Sequence, residues 1–356
     1  MFNVPVIDIS AYVDPQSTAA QRAEVARALD EAATTVGFMQ IVGHGVPAAA
    51  VEGLTEAFDA FYALPLGVKK SYMPRAGENR GYSPPKSESL SMSLGVANAN
   101  QMNDYFEAFT VGAGRSSYPQ RLNLPESSYP ENLWPDDVVP AFRPGVEEWF
   151  GHARDVSRKL LRGFTDGLGL PTDYFDDLVD HSIDVLNLNN YALPEGEIEL
   201  AGELTGMGAH TDFGILTILW ADQVPGLQIL DPDGVWQDVQ PADGALIVNL
   251  GDAMARWTND RWVSTIHRVD PPIVDGRIIR RRSAAFFFDG NFDAVIETLP
   301  GCARTDRPEY SPITVAENIN AKLAGLRAGI APTDASREAQ RLTSALGAAR
   351  SDTQAV

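Results

Sequence analysis

The chain has 356 residues, and 28 Lys and Arg against 48 Asp and Glu leave a net charge of −20. That balance excludes nucleic acid as a partner, because phosphate binding needs clustered cations, and it disfavours an anionic membrane surface. With 44% hydrophobic and 21% charged residues the composition is globular, and the single cysteine, Cys302, rules out an intrachain disulfide and any multi-cysteine metal site.

The opening residues MFNVPVIDIS contain no basic stretch leading into an apolar one, so no secretory signal is expected. No apolar run approaches the ~20 residues of a membrane span, and the reading is of a soluble, cytoplasmic protein. Val4, Val6, Ile7 and Ile9 form a short β-like run. Val25, Leu29, Ala32 and Val36 recur at helical spacing, as do Val51, Leu54, Phe58 and Phe61. Between these two helices, Phe38 to Val42 reads as a strand ending at Gly43-His44-Gly45. Residues 83–101 and 118–140 are rich in turn formers and read as long loops of the kind that often bind ligands. A third helix carries Val146, Trp149, Ala153, Val156, Leu160 and Phe164.

Beyond Pro171 the pattern changes to short β-like runs: Ile183–Tyr191, Phe213–Trp220, Leu227–Leu230, Val235–Val239, Ala245–Asn249, Thr265–Val269 and Ser283–Phe288. Asp233-Gly234 between two of them signals a hairpin. Many short strands at regular spacing predict a sandwich, jelly roll or barrel. The fold class expected is mainly β with packed helices. We read a single domain, 1–356: a mainly helical part over 1–175, a β core over 176–300, and a C-terminal helical segment over 301–356.

No phosphate-binding loop, His-Glu-x-x-His or Gly-x-Ser-x-Gly motif occurs, and Gly206-Met207-Gly208 lacks the third glycine of a dinucleotide fingerprint. The histidines are few: His44, His152, His181, His210 and His267. His210-Thr211-Asp212 runs into an apolar stretch, and on a strand positions i and i+2 share a face. One imidazole and one carboxylate would then converge, and His267 from a later strand would complete a 2-His-1-carboxylate triad suited to Fe(II) with open positions for O2 and substrate. Alone, His-x-Asp is equally a surface pair or a core histidine. Arg281, Ser283, Ala285 and Phe287 share a face by the same alternation, placing a guanidinium that can grip a carboxylate through two bonds in an apolar interior. Arg280 and Arg282 face the other way and read as a solvated basic pair. Asn187, Asn189 and Tyr191 share one face, either as an exposed edge or as a polar cavity wall.

Taken together these residues resemble the iron(II)- and 2-oxoglutarate-dependent oxygenases of the isopenicillin N synthase-like family. Val4-Pro5-Val6-Ile7-Asp8 is similar to that family's usual opening, and Gly37-Phe38-Met39-Gln40-Ile41-Val42-Gly43-His44-Gly45-Val46 is similar to its first strand-and-turn element, with Gly43 where asparagine is usual. Arg80-Gly81-Tyr82, Asp104-Tyr105-Phe106-Glu107, His210-Thr211-Asp212, Leu250-Gly251-Asp252, Trp257-Thr258-Asn259, His267-Arg268-Val269 and Arg281-x-Ser283 follow in the family's order. The resemblance implies a double-stranded β-helix, or jelly roll, preceded by a helical part. It implies His210, Asp212 and His267 as catalytic iron ligands, and Arg281 and Ser283 as holders of the distal carboxylate of 2-oxoglutarate, with Tyr191 and Asn189 assisting. It implies consumption of O2 and release of succinate and CO2 while a C–H bond of a small molecule is hydroxylated, desaturated or closed into a ring. Phe213 and Phe287 would wall the substrate pocket. Two other readings fit the same residues: an Fe(II) oxidase of this fold that uses no oxoacid, and a non-catalytic jelly-roll binding protein. Substrate and oligomeric state are beyond the sequence.

Overall fold

A computed structural model describes residues 3–75, 78–85, 104–192, 206–274 and 277–328. Most of the 83–101 loop and the chain beyond 328 lie outside these described residues.

The N-terminal part holds β1 (Val6–Asp8), α1 (Ala19–Thr35), β2 (Phe38–Val42), α2 (Ala48–Tyr62), α3 (Leu66–Lys69), β3 (Gly81–Ser83), β4 (Glu107–Gly112) and α4 (Phe142–Leu168). The core follows with β5 (Val185–Tyr191), β6 (Met207–His210), β7 (Leu216–Ala221), β8 (Leu227–Leu230), β9 (Trp236–Asp238), β10 (Leu246–Leu250), α5 (Asp252–Trp257) and β11 (His267–Val269). Then come β12 (Ile273–Val274), β13 (Arg277–Ile278), β14 (Arg281–Phe288), β15 (Val295–Ile296), β16 (Ile313–Thr314) and α6 (Val315–Ala328). One sheet has eight strands in the order β1-β2-β10-β7-β14-β5-β4-β3, and a second has four in the order β6-β11-β8-β9. The two face each other as the jelly roll the sequence led us to expect, with helices on the outer face of the larger sheet. Among the described residues no helix is long and apolar enough to cross a membrane.

Strand alternation decides which residues see the helices and which see the interior. On β14, Ala284, Phe286 and Phe288 belong to the core shared with the helices, and Phe286 meets Phe150 of α4 edge to face at 4.9 Å. On β5, Leu186 and Leu188 do the same. Helix α4 buries the stripe Val146, Trp149, Ala153, Val156, Leu160 and Phe164 found in the sequence. Each such side chain contributes about 1.5–3 kcal/mol by leaving water, so the stripe fixes where α4 lies.

Local signals set the boundaries. Thr18 and Gln21 form a reciprocal cap at the start of α1. Gly37 closes α1 at φ +67°, where a Cβ would stand 2.1 Å from the Val263 carbonyl oxygen. The Asp233-Gly234 turn joins β8 to β9 as an antiparallel pair. Gly43 adopts φ +64°, and a Cβ there would meet Asp8 Oδ1 at 2.2 Å, so glycine suits this chain's turn.

The motif Asp104-Tyr105-Phe106-Glu107 ties the helical part to the core. Glu107 accepts bonds from Lys69 Nζ (2.7 Å), the Tyr82 hydroxyl (2.5 Å) and Asn190 Nδ2 (2.8 Å), all buried. Asp104 Oδ1 accepts from the Gly208 N–H at 2.9 Å and so pins the strand that carries His210.

Candidate active site

His210 is the last residue of β6 and His267 the first of β11, and the two are direct cross-strand partners. Asp212 is not on their sheet. The expected strand from Phe213 begins only at Leu216, so Asp212 lies in the crossing segment that carries the chain from the small sheet to the large one. The same-face argument for His210 and Asp212 is therefore corrected: the crossover, not strand alternation, turns the carboxylate back toward the imidazoles. Asp212 Oδ1 stands 3.7 Å from Nε2 of each histidine, and the donor atoms of all three lie within 4.8 Å of one another.

Hydrogen bonds fix the direction of every donor. Nδ1 of His210 donates to the Gly208 carbonyl (2.8 Å) and Nδ1 of His267 to the Thr265 carbonyl (3.1 Å), leaving both Nε2 lone pairs turned inward. Asp212 Oδ2 accepts from Thr217 Oγ1 (2.5 Å) and Asn249 Nδ2 (2.7 Å), which leaves Oδ1 for the shared point. Burial, helped by the neighbouring His267, pulls His210 down to about 4, so its imidazole is neutral at physiological pH. Burial opposes the charge on Asp212, but the two histidines and the bonds from Asn249 and Thr217 outweigh it and hold this carboxylate below its usual range. Two imidazoles and one charged oxygen on one side of a point are a donor set for a divalent transition metal with open positions.

The inner face of β14 and β5 runs away from this point. Arg281 pairs with Tyr191, Ser283 with Asn189 and Ala285 with Asn187, and all six border a cavity of about 650 Å³ that also reaches His210, Asp212 and His267. Arg281 is 2% exposed, and among the described residues its Nε and Nη1 have no partner, nor has Asn189 Oδ1. Its guanidinium lies over the Tyr191 ring at 5.2 Å, and burial pushes the Tyr191 hydroxyl up to about 12, keeping it a proton donor. A buried guanidinium with free N–H groups is costly without an anion. An oxoacid chelating at the triad and reaching Arg281 with its far carboxylate answers both ends of this arrangement, so the residues fit metal and cosubstrate alike.

Arg280 and Arg282 do turn outward, but they are paired rather than simply solvated, both with Asp59 of α2 at 2.8 Å. Phe213 and Phe287, read as pocket walls, line the cavity and are partly exposed to it. The remaining histidines do not border the cavity. His44 bridges the Gly244 carbonyl and the Val46 N–H, and His152 lies on α4. His181 is buried between Asp180 and Asp293. Sequence reasoning missed Thr217 and Asn249, and it missed Ile319 and Leu323 of α6, which close one side of the cavity. Helix α6 is tied to the segment that carries Asp212: Asn318 Nδ2 bonds the Phe213 carbonyl (3.1 Å), and Lys322 bonds Asp252, which accepts from Thr211 Oγ1 (3.1 Å).

Residues 4–137 match the family described as the non-haem dioxygenase in morphine synthesis N-terminal domain, and residues 183–290 match the 2OG-Fe(II) oxygenase superfamily. The chain is 35% identical over 322 residues to the 2-oxoglutarate-Fe(II) type oxidoreductase hxnY of Emericella nidulans, covering 88% of each protein. It is 32% identical to the 2-oxoglutarate-dependent dioxygenase citB of Monascus ruber, covering 89% of this chain and 94% of that one. The crystal structure of a full-length Neurospora crassa protein in complex with alpha-KG and thymine superposes with a TM-score of 0.75 at 27% identity, covering 90% of this chain and 96% of that one. These relatives decide for oxoacid use over the oxidase and the non-catalytic jelly roll. The chain belongs to the 2OG-Fe(II) oxygenase superfamily and is an Fe(II)- and 2-oxoglutarate-dependent dioxygenase acting on a small molecule.

Proposed function

We propose that His210, Asp212 and His267 hold the Fe(II), and that Arg281 and Ser283 hold the distal carboxylate of 2-oxoglutarate with Tyr191 and Asn189 beside it. The observation that carries this reading is the pairing of an inward-facing His-Asp-His donor set with a buried guanidinium whose Nε and Nη1 lack partners among the described residues, in one cavity. When bound, iron with 2-oxoglutarate and O2 supplies the oxidising power: the oxoacid leaves as succinate and CO2, and a substrate C–H bond is oxidised.

The chain's residues make that chemistry selective. The Gly208 and Thr265 carbonyls hold both imidazoles in one tautomer, and Asn249 with Thr217 aims Asp212. Arg281 sets the direction from which the oxoacid enters. Phe213 and Phe287 exclude water beside the reacting carbon, which limits oxidation without substrate. Hydroxylation, desaturation and ring closure all use this frame. The whole chain, 1–356, serves as one oxygenase domain on this reading, since the helices and the large sheet share one core. A reducing cytoplasm suits a ferrous site and a lone buried cysteine.

Anaerobic Fe(II) and 2-oxoglutarate titrations test the assignment. The wild type should bind one iron and develop a weak visible charge-transfer band on adding 2-oxoglutarate. His210→Ala should fold yet lose both, and His152→Ala should keep both. Full iron content in His210→Ala would sink the ligand set.

A further inference from the structure

The alternating row on β14 does not stop at the end of the strand. Arg281, Ser283, Ala285 and Phe287 line the cavity at two-residue spacing, and Asp289 lines it one step further. Eight residues of extended chain, about 26 Å, separate the arginine from the aspartate. Between them Phe287 pairs with Thr217, the residue that bonds Asp212. The oxoacid anchor and Asp289 therefore lie on opposite sides of the iron ligands, and Asp289 marks the half left for substrate.

Asp289 is only 7% exposed, yet among the described residues its carboxyl has no hydrogen bond and no ion pair. Its backbone N–H donates to Asp184 Oδ1 at 3.4 Å. The carboxyl lies over the bare Cα of Gly214, where a Cβ would come within 2.0 Å of Oδ1. Burial, with Asp184 and Asp212 nearby, pushes its pKa well up, and the Arg80 guanidinium pulls the other way. Arg80 does not satisfy it: that side chain bonds Asn79 at 2.8 Å and packs over Gly112. A buried carboxyl without a partner is costly, and a cation or strong N–H donor from the cavity would relieve it.

The rest of this half agrees. Glu78 adds a second, partly buried carboxylate, and among the described residues that line the cavity Arg281 is the only Lys or Arg. Phe213 and Phe287 supply aromatic surface to the same cavity, and aromatic faces also attract cations. The cavity is thus positive at its oxoacid end and acidic at its substrate end.

We propose that Asp289, assisted by Glu78, receives a protonated nitrogen of the substrate, which makes the substrate class a small amine, amidine or guanidine with a flat or apolar portion against Phe213 and Phe287. This rests on the iron and oxoacid assignments above.

The test uses the full chain loaded anaerobically with Fe(II) and 2-oxoglutarate, and calorimetric titration with benzylamine, benzamidine and benzyl alcohol. The two cations should bind at least tenfold more tightly than the neutral alcohol. Asp289→Asn should cost both cations at least tenfold and leave the alcohol unchanged. Equal affinity for amine and alcohol in the wild type, no binding of either cation, or unchanged cation binding in Asp289→Asn would each overturn the proposal. The wild-type comparison stands even if the variant does not fold. The charge-transfer band on adding 2-oxoglutarate reads the iron and oxoacid assignments separately, so their failure is distinguishable from failure of the cation site.

Discussion

His210 and His267 face each other across β6 and β11 with ring centroids 4.2 Å apart, and each donates Nδ1–H to the carbonyl two residues before it. The repeated local bond makes the pair nearly self-positioning, because each ring is oriented by its own strand. What the strands do not supply is the third donor. Asp212 reaches the pair from an irregular segment and depends on Thr217 and Asn249 for its direction.

Asn249→Ala should therefore weaken Fe(II) binding by about 10- to 100-fold, the usual cost of losing an outer partner of a metal ligand. Circular dichroism should be unchanged. Anaerobic iron titration checks this, and wild-type affinity would show that Thr217 alone orients Asp212.

Replacing Arg281 by Lys keeps a positive charge and loses the planar fork. Binding of 2-oxoglutarate should weaken by roughly 1.5–3 kcal/mol, the scale of a charged hydrogen bond, or about 10- to 150-fold. Arg282→Lys, which disturbs only the outward pairs with Asp59 and Asp222, should leave oxoacid affinity unchanged. Titration of the charge-transfer band in each variant separates the two.

The buried pair Lys69–Glu107 joins the helical part to the core. Glu107→Ala should destabilise the protein by about 3–5 kcal/mol, because the Lys69 charge is left without compensation. The double change Lys69→Met with Glu107→Leu should cost much less. Urea unfolding measures both, and equal losses would mean that packing, not charge, dominates there.

Lys322→Met removes the partner of the fully buried Asp252. A loss of about 3–5 kcal/mol is expected, together with weaker Fe(II) binding, since Asp252 accepts from the Thr211 hydroxyl between His210 and Asp212. Adding Asp252→Asn should restore much of the stability. If iron affinity is untouched in Lys322→Met, α6 covers the cavity without steering the ligand segment.

Much of the site could be read from spacing. Arg281, Ser283 and Phe287 share a wall because a strand alternates, and β14 is long and regular enough to obey the rule. His210 and Asp212 converge for a different reason than alternation, since β6 ends at the histidine. Thr217 and Asn249 carried no signal: a hydroxyl and an amide within apolar strands look like any others until the fold brings them to one carboxylate. Asp289 does carry one, as the next member of the row Arg281, Ser283, Ala285, Phe287, although the apolar run itself stops at Phe288. The walls from α6 were invisible because the C-terminal segment bears no motif, and its place follows from the Lys322–Asp252 contact.

The cavity's two halves are drawn from different stretches of chain. The half around Arg281 is bordered by side chains of paired strands, where moving one residue by one position would turn the whole row over to the helix side. The opposite half takes Met73, Pro74, Glu78 and Asn79 from a loop, and Ile319 and Leu323 from α6, and none of these is a strand partner of His210 or His267. Such borders can be exchanged, lengthened or recharged while the oxidising centre stays as it is. A chain built this way can acquire a new substrate through a handful of changes at its margins, and an engineer seeking to redirect it would begin at Glu78 and Leu323 and leave β14 untouched.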